Sequence, residues 1–541
     1  MGIFGLEASF LPKNDYIDED FTSETLKLND MKKIFILLTA LAVSAAVQAQ
    51  PLSRQYCNPL PMEIGPGANA SGDVSVMENN GTYYMFCTGG GAWVSKDLLN
   101  WEYKEVKHVA RMPVAPDVAK FNGKFYMSGN DSPLYVADDP LGPYELVGNW
   151  TNTGDISEGW NGAFDTHIFV DDDNQPYLFW PGRGISGIYG VKLNPKKLNE
   201  FAGKPVHLLQ FNPMHKWERY GEMNEYPGVA WIEGPWVIKQ NGTYYLEYSA
   251  SGTQWKTYAE GYYTAKSPLG PYEYALNNPL LRKTEGLVTG PAHGSIVKGP
   301  DNNWWQFYTI VLSNPPGGRR IGMDKVVFDE DGFMSVTVTD TPQPAPLAKP
   351  SDSPKSVPVT INKVRAMNAL SKVSSEQFGF FGSYAVDDFS GTVWMPAEDD
   401  KEPSLLIELS PATRFDVVQL FTVDGMRIMF GGVSQGRGGF GRGASGQVYK
   451  YKLEVSMDGQ NFTTVVDKTK NTVAKNTTFD EFAPVQCRFV KLTVTEWPEG
   501  SPRGIIDFTV FGYSSGEQPA AIATPLFNDL PADSASAPRT H

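Results

Sequence analysis

The sequence predicts an all-β protein in which a five-bladed β-propeller is followed by a β-sandwich. Three observations support this prediction. A polar turn followed by an aromatic run occurs five times, a Pro-rich segment follows the fifth run, and strand-like runs of a different pattern follow that segment. A repeat longer than about forty residues, built of short strands, is typical of propellers with one sheet per blade.

The five repeats share a hairpin signal. Turns such as Asn80-Gly81 precede each aromatic run, and Asn-Gly between apolar runs favours a tight hairpin because both turn residues adopt positive φ. A second echo, Pro140–Glu145 and Pro268–Glu273, follows two of the runs. The aromatic runs are Tyr83–Phe86, Phe125–Met127, Tyr177–Trp180, Tyr244–Leu246 and Trp304–Tyr308.

An ionisable residue stands about ten residues before each aromatic run: in order, Asp73, Asp117, Asp165, Glu233 and His293. The first strand of each propeller blade lines the central channel, so these five side chains are expected to face one cavity. A single acid beside a strand is usually a turn or surface residue, as in the hairpin acids 171–173. Five matching offsets, with acids inside apolar or Gly-rich runs, favour a functional cluster instead.

Composition narrows the classes of partner. The chain has 541 residues and a formal net charge of −15, which disfavours nucleic acid and anionic membrane surfaces. Aromatic residues make up 13%, which suits both β-sheet cores and stacking on sugar rings. Three cysteines give no disulfide framework.

The N-terminal region predicts export. Met31 and two lysines open a short apolar run that ends before Ala49, which indicates a signal peptide over 31–49 with cleavage after Ala49. We expect residues 1–30 to be a misannotated extension and the mature protein to be periplasmic or extracellular. No other apolar stretch is long enough to predict membrane insertion.

The remaining boundaries follow from composition and pattern. The propeller is predicted over 56–338, a stiff Pro-rich linker over 339–358, the sandwich over 359–513 and a disordered tail over 514–541. A Gly/Arg insert at 431–446 is interpreted as a flexible loop rather than an RNA-binding tract, since the chain is acidic and exported.

Converging carboxylates with few histidines and no metal-ligand cluster indicate acid–base hydrolysis. Glycoside hydrolysis needs two carboxyl groups directly, one protonated to assist the leaving oxygen and one ionised to activate water. A third acid nearby would hold up the pKa of the proton donor by like-charge repulsion.

Six motifs are spread over the segment from Tyr56 to Val338: Asn58–Leu60, Gly72–Val76, Ala115–Val118, Phe164–Asp173, Ile232–Trp236 and Gly290–Ser295. Through these motifs the segment resembles glycoside hydrolase family 43, the five-bladed propeller glycosidases. Val74 and Thr166 depart from the family, in which Pro commonly follows the corresponding acids.

The resemblance implies an inverting mechanism with Asp73 as general base, Glu233 as general acid and Asp165 tuning and orienting that acid. Asp117 would shape the pocket. His293 would be the family's channel histidine, which implies a structural calcium ion near it, directly or through water, and no required cofactor.

Sugar contacts are assigned in two ways. The resemblance gives Arg319 as the sugar-binding arginine, with Arg320 as an adjacent rival. The aromatic-rich repeats add Trp180, Arg183 and Trp231 as substrate-binding candidates, each of which is equally well explained as structural.

Through segments that include Asp387–Trp394 and Ile505–Gly512, the second domain resembles the coagulation factor 5/8 type C (discoidin-like) module. The resemblance implies that its β-sandwich is a discoidin-like jelly roll. Such modules often bind carbohydrate, and the sequence leaves open whether this one does so or packs on the propeller.

These inferences together predict an exported, monomeric glycosidase acting on terminal or side-chain α-L-arabinofuranosyl, β-xylosyl or related sugars of plant-type glycans. The alternative is a non-catalytic glycan-binding or surface adhesion protein.

Overall fold

The computed structural model describes residues 55–65, 72–108, 111–153, 160, 163–313, 318–348, 356–359, 371–409, 417–431, 448–501 and 503–519. The expected extension, signal peptide and cleavage site lie outside these residues, as do residues 432–446 of the Gly/Arg insert. Among the described residues, no helix combines the length and apolar character that crossing a bilayer requires.

The first domain contains, in its described part, five antiparallel sheets of four or five strands. Each takes its strands in chain order, except that the last strand of sheet three pairs with the third strand of that sheet. Sheet one contains β2 (Ser75–Asn79), β3 (Thr82–Phe86), β4 (Ala92–Ser95) and β5 (Glu102–Lys104). Sheet two contains β6 (Val114–Phe121), β7 (Lys124–Asn130), β8 (Leu134–Ala137) and β9 (Glu145–Gly148). Sheet three contains β10 (His167–Val170), β11 (Pro176–Pro181), β12 (Ile188–Asn194), β13 (Lys197–Phe201) and β14 (Val206–Leu209).

Sheets four and five complete this set. Sheet four contains β15 (Glu233–Gln240), β16 (Thr243–Ala250), β17 (Ala259–Ala265) and β18 (Glu273–Tyr274). Sheet five contains β19 (Ala292–Lys298), β20 (Trp304–Leu312), β21 (Gly318–Phe328) and β22 (Met334–Val336). The first strands β2, β6, β10, β15 and β19 contact one another in that order, and β19 contacts β2 again. The sheets therefore surround a central channel, and the predicted propeller is confirmed.

The predicted hairpins form where the polar turns stand. Asn80, Asn122 and Asn241 have φ of 52°, 48° and 51°, and the glycine after each also has positive φ. Each aromatic run forms the second strand of its sheet and buries its rings between neighbouring sheets, as with Phe179 and Tyr244 in one shared apolar cluster.

The second domain is a sandwich of two antiparallel sheets. One sheet has the order β24-β32-β27-β30 and the other the order β25-β26-β31-β28-β29. Its buried core includes Trp394, Leu453, Leu492 and Phe508. The strands are β24 (Val357–Pro358), β25 (Ser371–Val373), β26 (Ser404–Glu408), β27 (Val417–Phe430), β28 (Lys450–Ser456), β29 (Thr463–Asp467), β30 (Thr477–Cys487), β31 (Phe489–Glu496) and β32 (Ile505–Pro519).

Two details differ from the sequence prediction. The linker, expected to be stiff and extended rather than packed, is paired near both ends, because β23 (Gln343–Pro344) pairs with β1 (Gln55–Tyr56) and β24 pairs with β32. Strand β32 continues through Pro519, into the tail that was expected to be disordered, because its last residues pair with β27.

Candidate active site

In each of the five sheets of the first domain, one residue has a backbone in the left-handed region of φ/ψ space. It lies two positions before the residue at which the first strand begins its regular pairing. Such a backbone is uncommon for residues with a Cβ, and Asp, Asn and His tolerate it best. Where this residue carries a side chain, it lines the recess at the centre of the channel. The five residues are Asp73 (φ 49°), Ala115 (47°), Asp165 (41°), Gly234 (57°) and His293 (45°).

This equivalence corrects the alignment of the five ionisable residues. Asp73, Asp165 and His293 occupy the left-handed position, whereas Asp117 stands two residues after it and Glu233 one residue before it. The strand registers shift between Val114 and Asp117 and between Glu233 and Trp236, so a constant sequence offset does not give a constant place in the sheet. Glu233 nevertheless reaches the same site as Asp73 and Asp165, while Asp117 lies deeper.

Asp73 is held by four partners. Nη1 of Arg319 donates to its Oδ1 at 2.8 Å, and Nδ1 of His293 lies 3.2 Å from the same oxygen. The Thr88 hydroxyl donates to Oδ2 at 2.6 Å, and the backbone N–H of Asp73 donates to the Thr309 hydroxyl at 2.9 Å. These contacts fix the carboxylate in one orientation on the channel wall.

The charges around Asp73 keep it ionised. Burial by itself raises the pKa of a carboxyl group, but Arg319 and His293, with hydrogen bonds from His293 and Thr88, outweigh it here. The pKa of Asp73 therefore lies well below its usual range, so the group is ionised at neutral pH, the state in which a carboxylate can accept a proton.

Glu233 lies in the opposite electrostatic environment. Burial, followed by the negative charge of Asp165, raises the pKa of Glu233 to about 7. The hydroxyl of Tyr258 donates to Oε1 of Glu233 at 2.7 Å and offsets part of this shift. A carboxyl group with this pKa can hold a proton near neutral pH and deliver it to a substrate.

Asp165 and His293 lie between these two acids. Nδ1 of His293 is 4.0 Å from Oδ2 of Asp165 as well as 3.2 Å from Asp73. Burial lowers the pKa of His293, but the nearby carboxylates Asp165 and Asp73 outweigh it and raise the pKa to about 9. Burial raises the pKa of Asp165, and His293 partly offsets that shift. His293 is thus placed as a cation among the acids.

A second layer of side chains lies two residues further along the strands. Asp117 accepts hydrogen bonds from the Ser75 hydroxyl at 3.0 Å and from the Ile168 backbone N–H at 2.8 Å. His167 lies 3.4 Å from Asp117 and stacks on Trp236 with ring centroids 4.1 Å apart. A recess of about 20 Å³, room for about one water molecule, is lined by both layers. Asp117 therefore shapes the floor of the pocket rather than its reacting level.

The two adjacent arginines have different surroundings. Arg319 contacts Asp73 and also donates to the Thr253 hydroxyl, whereas Arg320 donates to Thr477 in the second domain. Arg319 is therefore the arginine of the site, and Arg320 belongs to the contact between the domains.

The three predicted substrate-binding side chains differ in burial. Trp180 is fully buried and packs against Trp160 and Phe201, so its ring has no face open to a sugar and the prediction for it is corrected to a core role. Arg183 is exposed, and Trp231 is 44% exposed two residues before Glu233. Both remain available to a ligand.

Sequence reasoning missed several polar partners of the acids. Thr88, Tyr258, Thr253 and Thr309 fix the carboxylates and the arginine, but none belongs to a motif in the sequence. A hydroxyl residue just after an aromatic run, such as Thr88, is the only signal that the repeat offers.

The family resemblance implied a structural calcium ion near His293, bound directly or through water. The described residues contain no group of three or more His, Cys, Asp or Glu side chains placed to hold a metal. Nδ1 of His293 is directed at carboxylates, and a protonated imidazole donates hydrogen bonds rather than ligating a cation. These residues therefore do not fit a calcium ion bound directly by His293, the water-mediated site stays a prediction, and no step below uses a metal.

Comparison with known proteins agrees with the fold. Residues 67–334 match the family model for "Glycosyl hydrolases family 43", and residues 369–507 match the model for "F5/8 type C domain". Both resemblances seen in the sequence are thereby confirmed.

Three curated relatives illustrate the range of similar proteins. A beta-D-galactofuranosidase of Aspergillus niger is 26% identical over 46% of this chain and 74% of its own length. Extracellular endo-alpha-(1->5)-L-arabinanase 2 of Bacillus subtilis is 28% identical over 39% of this chain and 51% of its own. An arabinoxylan arabinofuranohydrolase of Bacillus subtilis is 32% identical over 41% of this chain and 46% of its own. The chain thus spans about half the length of the latter two.

Proposed function

We propose that the protein, whose propeller matches the model for glycosyl hydrolases of family 43, removes terminal or side-chain sugars from plant-type polysaccharides or oligosaccharides. The observation that carries the proposal is the opposite shift of two carboxyl groups in one site. The pKa of Asp73 is held low and that of Glu233 is raised to about 7, which is the division of roles that glycoside hydrolysis needs.

Glu233 acts as the general acid in this proposal. Its proton goes to the glycosidic oxygen as the bond between that oxygen and the anomeric carbon breaks. Asp165 supports this role because its charge raises the pKa of Glu233, and Tyr258 holds the carboxyl group in place.

Asp73 acts as the general base. It takes a proton from a water molecule whose oxygen bonds to the anomeric carbon on the face opposite to the leaving group. One water is consumed, the configuration inverts, and the protons on Asp73 and Glu233 return to their starting places by exchange with solvent. Arg319 and His293 hold Asp73 ionised and oriented for this step.

The sugar class rests on the relatives. Their names cover galactofuranosyl, arabinosyl and arabinofuranosyl substrates, so we propose α-L-arabinofuranosyl first, then β-xylosyl and related sugars. Export is proposed from the sequence over 31–49, which brings the enzyme to extracellular glycans.

The test is a panel of substrates with the stereochemistry of the product as a second readout. Nitrophenyl furanosides and pyranosides, arabinan, xylan and arabinogalactan are incubated with the full chain, and the first-formed anomer is followed by ¹H NMR. Release of a sugar with inverted anomeric configuration is expected. Retained configuration would refute the base role of Asp73, and glycan binding without any product would favour the non-catalytic alternative.

A further inference from the structure

The second domain packs on the sheet that carries two side chains of the site. Ile310 and Leu312 of β20 share one buried apolar cluster with Val393, Met429 and Ile506 of the second domain. Sheet five, which contains β20, also carries His293 and Arg319. The wall of the site formed by this sheet is thus supported from outside by the second domain.

Arg427 joins the two domains through a buried, fully directed set of contacts. Its Nη1 donates to the backbone oxygens of Asn58 and Asp340, each at 2.7 Å. Its Nη2 donates to the Thr509 hydroxyl at 2.9 Å and lies 3.5 Å from Asp507. The second domain is therefore held against the propeller by specific bonds.

Asn58 lies in a segment that runs beside β21. Its side-chain amide donates to the Met323 carbonyl at 2.9 Å and accepts from the Met323 N–H at 3.0 Å, and the Leu60 N–H donates to the Ile321 carbonyl at 2.8 Å. The segment that Arg427 holds is thus the neighbour of the strand that carries Arg319.

A more direct connection runs through Arg320, the residue after Arg319 on β21. Nε of Arg320 donates to the Thr477 hydroxyl at 3.2 Å, and Nη1 donates to the backbone oxygen of Arg319 at 2.9 Å. Thr477 is fully buried at the first position of β30 in the second domain. One guanidinium group thus bonds both the second domain and the backbone of the site arginine.

We propose that the second domain is a positioning element of the active site, which holds Arg319 against Asp73 through the contacts of Arg320 with Thr477 and the Arg319 carbonyl. Whether or not the domain also binds glycan, it is then required for turnover. Arg320 touches no substrate in this scheme and acts only through its neighbour. The inference rests on the proposed role of Asp73 as the base.

The groups that face Asp73 determine how the pKa values in the site would change if Arg319 were displaced. Arg319 and His293 contact it directly, and Asp165 and Glu233 lie around the same histidine. If Arg319 withdraws, Asp73 loses a cation and its pKa rises. As the pH is lowered, kcat/KM should then begin to fall at a higher pH than in the parent. His293 also loses a cationic neighbour, so its own pKa should rise.

The experiment compares three full-length variants with the parent. Arg320→Gln and Thr477→Val remove the two ends of the connection, and Arg320→Lys retains a donor. Ser390→Ala is the matched control, because the Ser390 hydroxyl accepts an interdomain hydrogen bond from the Ser313 N–H at 3.0 Å without touching Arg320. Thermal unfolding of each variant verifies that it is folded. If Arg320→Gln does not fold, the test is made with Thr477→Val, which removes only one hydroxyl group.

We expect Arg320→Gln to lower kcat/KM roughly ten- to a hundredfold, since small displacements at a site have effects of this size. The acid limb of its pH profile should move to higher pH, and Thr477→Val should change kcat/KM and the acid limb in the same directions. Arg320→Lys should recover part of the loss in kcat/KM, and Ser390→Ala should match the parent in both quantities. Unchanged kcat/KM and acid limb in folded Arg320→Gln, or an equal shift in Ser390→Ala, would overturn the inference.

A second readout does not depend on turnover. The His293 imidazole is titrated by NMR in histidine-labelled parent and variant proteins, and its pKa should be higher in Arg320→Gln and Thr477→Val. A parent that hydrolyses no glycoside would refute the proposed function, whereas equal His293 titrations in parent and variants would refute the positioning role.

Discussion

At the scale of single residues, three buried carboxyl groups acquire different properties from their neighbours. Asp73, Asp165 and Glu233 are each less than 10% exposed, so burial alone would push all three pKa values upward. Asp73 escapes because Arg319 and His293 contact it, while Glu233 has a carboxylate neighbour and a phenol. The division of roles is therefore a property of the partners rather than of the depth of the site.

The acid role of Glu233 gives the first prediction. Glu233→Ala should lower turnover of natural glycosides about a hundred- to ten-thousandfold, the usual contribution of general acid catalysis. Glycosides whose leaving group needs no protonation, such as dinitrophenyl glycosides, should lose much less. Steady-state kinetics on both substrate types measure the difference, and equal losses would exclude Glu233 as the proton donor.

The pH dependence follows from the neighbours of Glu233. Because the acid must be protonated, kcat/KM should fall as the pH rises through the pKa of about 7. Asp165→Asn removes a negative charge, so the pKa of Glu233 falls and the basic limb moves to lower pH. Tyr258→Phe removes a donor to the carboxylate, so the pKa rises and the limb moves to higher pH. Shifts of the same sign in both variants would contradict this account.

At the scale of elements, the entry to each first strand decides which side chain reaches the channel. The polar turns and aromatic runs predicted the hairpins and the propeller because Asn-Gly and alternating burial are local properties of the chain. The register shifts at Val114/Asp117 and Glu233/Trp236 have no such local signal. That is why three acids were correctly brought together while Asp117 was given an equivalence that belongs to Ala115.

Gly234 gives a prediction at this scale. A Cβ at Gly234 would lie 2.7 Å from Cδ2 of His293, and its φ of 57° is unfavourable for other residues. Gly234→Ala should therefore displace the imidazole and lower kcat/KM. Separately, the strained backbone should cost about 1–2 kcal/mol of unfolding free energy.

The matched control for this prediction is Gly242→Ala, in the hairpin turn of the same sheet. Its φ is 75°, but nothing lies within 4 Å of the added Cβ. It should lose comparable stability in urea unfolding and retain activity. Full activity in Gly234→Ala would show that the fit against His293 does not matter.

At the scale of the whole molecule, the two domains are more closely joined than the sequence indicated. The Pro-rich composition of 339–358 predicted a stiff, extended linker that does not pack, yet residues near both its ends pair into sheets of the two domains. Composition reports how a segment behaves alone, whereas pairing with β1 and β32 depends on residues distant in sequence. The same reason hid Arg427, whose partners Asn58 and Asp340 are 369 and 87 residues away.

This packing predicts how the molecule unfolds. A shared apolar cluster and the buried contacts of Arg427 should make the propeller and the second domain melt in one calorimetric transition. Arg427→Ala leaves Asp507 buried without its cation, and breaking a buried pair in this way costs about 3–5 kcal/mol. The variant should therefore unfold at lower temperature, or its unfolding should split into two transitions.

The control is Lys452→Ala, which affects a part-exposed pair with Glu454 on β28 and should leave the transition nearly unchanged. A parent that melts in two steps, with the propeller step unaffected by Arg427→Ala, would mean that the domains are independent and that the interface adds nothing to the stability of the site.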